Sequence, residues 1–254
     1  MLPAPVSDPS SETTSRSVET TVLARLLELR SRGVKAVLCL LGIFLCLVPF
    51  SEQVFSLIAA PIVAKLPADA SLIAKQVASP FLTPLKAPMW AALFLAMPLL
   101  LYHVWKLIDH WLPSTKRRIA LPFMFASAVL FYVGVAFAFF VVLPLVFGFF
   151  ATVAPAGVVI MTDINAFLDF TIAMLFAFGL AFQVPVAIII LVWTGLVSRK
   201  AMAAARPYVF LGAFLVGMLL TPPDVLSQTM LAVPMYLLFE AALFFCARFL
   251  PDKA

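Results

Sequence analysis

From Ile119 to Phe150 the chain runs thirty-two residues without one charged side chain. Runs of roughly 18 or more apolar residues read as membrane spans. As a helix this stretch would extend about 48 Å, against a hydrocarbon core of about 30 Å. It must therefore tilt, bend near Pro144 or project beyond the bilayer. Other apolar runs occupy about 34–50, 87–110, 166–196, 208–221 and 227–249. The fourth span is interrupted by Pro185. The fifth has only about 14 residues, or 21 Å. The sixth is broken by Pro234 and carries Glu240. Composition agrees: 11% of residues are charged and 64% hydrophobic, whereas a soluble domain carries about a quarter charged. The fold class is an all-α integral membrane protein with six transmembrane helices.

Residues 1–20, "MLPAPVSDPSSETTSRSVET", are polar and Pro- and Ser-rich, and read as a disordered tail. Residues 21–33 place Val22, Leu23, Leu26, Leu27 and Leu29 on roughly one side of a short amphipathic helix suited to the membrane surface. Residues 34–250 form the six-span membrane domain. Within it, 51–86 read as a long loop with Pro-rich stretches that hold Pro61, Pro80 and Phe81, and 151–165 as a second loop.

The net charge of +5 is a matter of topology rather than of nucleic acid. Fourteen of the seventeen Lys and Arg residues fall in the N-terminal segment, the turns after spans two and four, and the C-terminus. Only Lys65, Lys75 and Lys86 fall on the other side. Positive charge stays in the cytoplasm, so both termini are expected there.

Cys39 and Cys46 lie seven residues apart, about 10 Å along one helix and too far to bridge. With Cys246 they read as packing residues. His103 and His110 share one helix without a third ligand, so neither a metal nor a cofactor is expected. No span or loop pairs a nucleophile with a base, which argues against an enzyme.

Polar residues within the spans are few and expensive, so each needs a reason. Gln183 either serves function or satisfies backbone groups freed by Pro185. Glu240 faces the protein wall or a partner rather than lipid. Asp163 and Asp224 stand where they can cap the helices that follow. Asp169 has no evident role. Phe131, Phe137, Phe139 and Phe140 read as packing and interface anchors.

The segments "LLELRSR", "SPFLTPLK", "FYVGVAFAFFVVLPLVFGFF" and "RPYVFLGAFLVGMLLTPPDVLSQTMLAVPMYLLFE", with the six-span layout, resemble TatC, the large membrane subunit of the twin-arginine protein translocase. The resemblance covers about residues 21–250. It implies a concave six-helix wall with short spans five and six, and no catalysis or cofactor. It implies a receptor for twin-arginine signal peptides in the bacterial inner membrane. Such a receptor assembles with small single-span subunits of the TatA/TatB type into an oligomeric complex that exports folded proteins on the proton-motive force.

The resemblance also places a site. Glu28, beside Arg30, occupies the family's glutamate in the "ELR" motif, one of two acids that receive the arginine pair. The plain alternative is a surface charge paired with Arg25 and Arg32 at ordinary helix spacing. The family's second acid precedes the basic pair, here Arg117 and Arg118, but the residue at that position is Lys116. Asp109, seven residues earlier, is a candidate substitute. Gln183 likewise stands where the family usually has an intramembrane glutamate. Met218 and the region of Glu240 lie on the edge where the family docks its small subunits. Two other readings stay open: a divergent or altered scaffold with weakened signal recognition, and a secondary transporter.

Overall fold

The computed structural model describes residues 30–31, 33–63, 71–73, 79–109, 120–153, 161–220 and 225–249. The 1–20 tail and most of the amphipathic segment 21–33 lie outside them.

Helix α1 covers 33–47 and passes through a 3-10 turn, Val48–Phe50, into α2, Ser51–Val63. The stretch read as a loop from 51 is therefore helical for thirteen residues, and Pro61 lies within α2. Helix α3, Ser79–Asp109, starts eight residues before the expected span and carries Pro80 and Phe81 in its first turn. A proline in the first turn lacks only an N–H that would have no partner in the helix. Proline runs therefore misled the sequence reading at both places.

The uncharged 119–150 run is helix α4, Ala120–Phe137, then a π turn, Ala138–Val142, then α5, Leu143–Val153. Pro144 explains the turn. Its ring clashes with the carbonyl four residues back, and the wider π turn relieves that clash. The fourth span is likewise two helices, α6, Ile164–Ala181, and α7, Val184–Thr194, with Pro185 at the start of α7. Gly195, at φ +82°, closes α7 in the left-handed conformation that glycine alone adopts cheaply. Ser198 then caps the short α8, Arg199–Ala204. Helices α9, Arg206–Leu220, and α10, Val225–Phe249, complete the chain.

Among the described residues, five helical runs are long and apolar enough to cross a membrane, and α9 is a shorter apolar helix. Leu38, Phe125, Phe140, Leu219 and Phe244 stand exposed on the outside, as a lipid-facing surface requires and water would not allow. Cys39 and Cys46 are exposed too, which corrects their reading as packing residues; Cys246 is buried.

The one addition to an all-α description is small. Strand β1, Ser71–Ile73, pairs in parallel with β2, Met161–Asp163, so that Ile73 sits opposite Asp163. It ties together the two inter-span segments at one end of the wall. Asp163 also caps α6, as expected, accepting from the Asn165 backbone N–H at 3.4 Å.

The core sits where α4 crosses α6. Phe131 of α4 packs over Gly179 of α6, where a Cβ would come within 2.6 Å of the Phe131 ring. Gly134 answers it: a Cβ there would meet the Phe178 carbonyl oxygen at 2.6 Å. Without water to drive burial, small residues that let backbones approach are the main source of helix association in a bilayer. Helix α10 packs on both α9 and α7, and α2 packs on α3.

Candidate functional site

Among the described residues, three polar clusters and a cavity carry the chemistry of the wall. The first cluster ties α9 to α10. Arg206, at the start of α9, donates through Nε to Glu240 Oε1 at 2.7 Å and through Nη2 to Oε2 at 3.1 Å. The Tyr236 hydroxyl, one turn before Glu240, donates to Oε1 at 2.8 Å. Glu240 thus faces the protein wall, with partners inside the chain. Further along, Gln228 Nε2 donates to the Phe214 carbonyl at 2.7 Å. Gly217 lets α10 come close there, since a Cβ would lie 3.1 Å from Gln228 Cγ. Met218, the next residue, is 48% exposed on the outer face.

A second cluster joins α3, α4 and α7. The Trp105 indole N–H donates to Ser127 Oγ at 3.0 Å, and Gln183 Nε2 donates to the Ser127 carbonyl at 2.8 Å. Trp105 and Ser127 are buried. Pro185 withdraws a donor from the Ala181 carbonyl, yet the Gln183 bond goes across to α4. Gln183 is therefore an interhelix tie; of the two readings left open for it, satisfying backbone groups freed by Pro185 is not the bond its amide makes.

The third cluster joins α3 and α6. Thr83 Oγ1 donates to Asn165 Oδ1 at 2.5 Å. Lys86 Nζ donates to Asp169 Oδ1 and Oδ2 at 3.1 and 3.2 Å. Beside this pair opens a cavity of about 930 Å³, bounded by α3, α6, α7, α9 and α10. It makes the wall concave.

This arrangement is that of a known family. A model of the family described as Sec-independent protein translocase protein (TatC) matches residues 24–234. The chain is 52% identical to the Sec-independent protein translocase protein TatC of Azotobacter chroococcum mcd 1, over 89% of each chain. It is 48% identical to that of Escherichia coli (strain K12), over 93% of this chain and 92% of the other. The chain belongs to the TatC family. A crystal structure described as the twin arginine translocase receptor TatC superposes with a TM-score of 0.77 at 29% identity. It covers 86% of this chain and 96% of that one. The family is one of protein translocases, so this TatC-family chain is a multi-pass membrane component of transport and not an enzyme.

The expected signal-binding residues are only partly described. Glu28, Lys116, Arg117 and Arg118 lie outside the described residues, as does Asp224. Arg30 is helical and exposed, three residues before α1. Asp109 is the last described residue of α3, and Lys116, seven residues further along the chain, lies outside the described residues. Among the described residues, no group of three His, Cys, Asp or Glu side chains could hold a metal.

Sequence reasoning missed the partners rather than the polar residues. Arg206 was counted only as a topological charge, and Lys86 likewise. Ser127 gave no signal, being one small residue in an apolar run. A periodicity argument could have paired Tyr236 with Glu240, which lie four apart on one helix.

Proposed function

We propose that this TatC-family chain is the receptor and scaffold subunit of a twin-arginine translocase. It binds twin-arginine signal peptides on its cytoplasmic side for export of folded proteins driven by the proton-motive force. The single observation that carries this reading is the match over nearly the whole chain to TatC proteins and to the twin arginine translocase receptor. Both termini lie in the cytoplasm, as the concentration of Lys and Arg at those ends and turns supports. Glu28 receives a guanidinium, with Arg30 beside it in the chain, Asp109 at the last described residue of α3, and Lys116, Arg117 and Arg118 in the segment that follows. Single-span subunits of the TatA/TatB type dock on the α9/α10 edge. There α9, at fifteen residues, is about 22 Å long and leaves the bilayer locally thinned.

A divergent scaffold with weakened signal recognition is the second reading, favoured by Lys116 and Gln183 where the family has acids. Complementation of a translocase-deficient cell separates the two. The receptor reading expects export of a folded twin-arginine reporter and its loss when the pair is replaced by twin lysine. Assembly with the small subunits but no export would favour the second reading. Cysteine labelling tests the topology: Lys65→Cys should react from outside the cell and Lys200→Cys only from within.

A further inference from the structure

We propose that the cavity holds a phospholipid with a zwitterionic, primary-amine headgroup, its acyl chain in the cavity and its headgroup on the Lys86–Asp169 pair. This is independent of signal recognition. Ala173 and Ala177 of α6 and Gly212 of α9 line the space with small side chains, and Trp90 of α3 borders it. Among the described residues, Asp169 is the only charged one in the lining. A space of about 930 Å³ left empty would deny its walls van der Waals partners. At membrane depth the material at hand to fill it is hydrocarbon.

The dimensions fit one leaflet. From Asp169 to Ala181, both lining the cavity, is twelve residues, about 18 Å along the helix. Half of the ~30 Å hydrocarbon core is about 15 Å. The charged end sits at the right level. Asp169 lies five residues into α6 and Lys86 seven into α3, about 8 and 10 Å from the helix starts. Those helices begin beside the β1–β2 pair, whose open strand edges have no place in hydrocarbon. The ion pair is thus near the boundary between headgroups and acyl chains. Trp90, one turn beyond Lys86, suits the same boundary.

Charge complementarity selects the headgroup. The Lys86 and Asp169 side chains are 38% and 56% exposed, so both charged heads are open to a headgroup at that boundary. A phosphate beside a primary ammonium complements both exposed heads of the pair, phosphate to Lys86 and ammonium to Asp169. A choline headgroup has no N–H to donate to the carboxylate. A glycerol headgroup has hydroxyl donors but a net negative charge and no cation to set against the carboxylate.

The test is native mass spectrometry of the full chain, released from nanodiscs of phosphatidylethanolamine, phosphatidylcholine and phosphatidylglycerol in equal parts. One phosphatidylethanolamine should be retained in preference to either other lipid by about tenfold, or 1.4 kcal/mol. Asp169→Asn should bring phosphatidylethanolamine down to the level of phosphatidylcholine. Ala177→Trp should release all three by filling the cavity. Lys86→Met, which removes the phosphate contact that all three lipids share, serves if Ala177→Trp does not fold, and should lower retention of all three. Equal retention of the three lipids, an unchanged preference in Asp169→Asn, or a single-span protein retained in place of lipid would overturn the proposal.

Discussion

Arg206 grips Glu240 with two parallel N–H···O bonds, at 2.7 and 3.1 Å, across the gap between α9 and α10. The pair is partly exposed, with side chains 49% and 31% accessible, so its strength depends on geometry more than on charge alone. Lysine offers a compact charge on one nitrogen and cannot reproduce the planar fork. Arg206→Lys should therefore lower the melting temperature in detergent, and Glu240→Arg should lower it further by setting two guanidinium groups together. The double exchange Arg206→Glu with Glu240→Arg should recover most of that loss. No recovery in the double variant would mean that the pair is incidental to α9–α10 packing.

The α4–α6 crossing makes a sharper demand. Gly134→Ala puts a methyl against the Phe178 carbonyl oxygen, which is backbone and cannot swing away. The cost should be about 1–3 kcal/mol, read by denaturation in mixed micelles. Gly179→Ala meets only the Phe131 ring, so a second change, Phe131→Leu, should relieve it. The same second change should do nothing for Gly134→Ala.

Gln183 supplies a donor to the Ser127 carbonyl. Gln183→Leu should cost on the order of 1 kcal/mol, the usual range for an interhelix hydrogen bond in a bilayer. Gln183→Glu can remake the bond only in its protonated form. Its stability should thus fall as pH rises through its ionisation, while that of Gln183→Leu stays flat. Parallel pH profiles for the two variants would remove the tie from the account.

If Glu28 receives a guanidinium, Glu28→Ala should weaken binding of a twin-arginine peptide far more than of its twin-lysine counterpart. The loss of one charge-assisted contact is about 1.5–3 kcal/mol, roughly ten- to a hundredfold in affinity. Lys116→Glu removes a repulsion, so affinity should rise and become more sensitive to salt. Peptide titration in nanodiscs measures both, and unchanged affinities would return Glu28 to a surface pairing with Arg25 and Arg32.

Photo-cross-linking from Met218, exposed on the short α9, should capture a single-span partner subunit. Cross-links confined to α1 and α3 would move the docking edge to the opposite side of the wall.

Much of this protein was legible in one dimension. Spans were readable because hydrocarbon imposes length and apolarity on every crossing segment, whatever its neighbours. The short α9 and the cap at Asp163 followed from local rules. The family was legible in long unbroken motifs, and with it the candidate role of Glu28. Elements next to prolines were the ones misjudged, at α2 and at the start of α3, because proline is tolerated in a first turn as readily as it ends a helix. What only tertiary structure decided was pairing. Gln183 to Ser127 spans 56 positions, Arg206 to Glu240 spans 34, and Lys86 to Asp169 spans 83. No local periodicity encodes such a separation. The sequence by itself determined that these polar groups lie in or beside a membrane and therefore need partners; which partner each one has depended on how the helices cross, and that is set by small residues such as Gly134 and Gly179 acting across the fold.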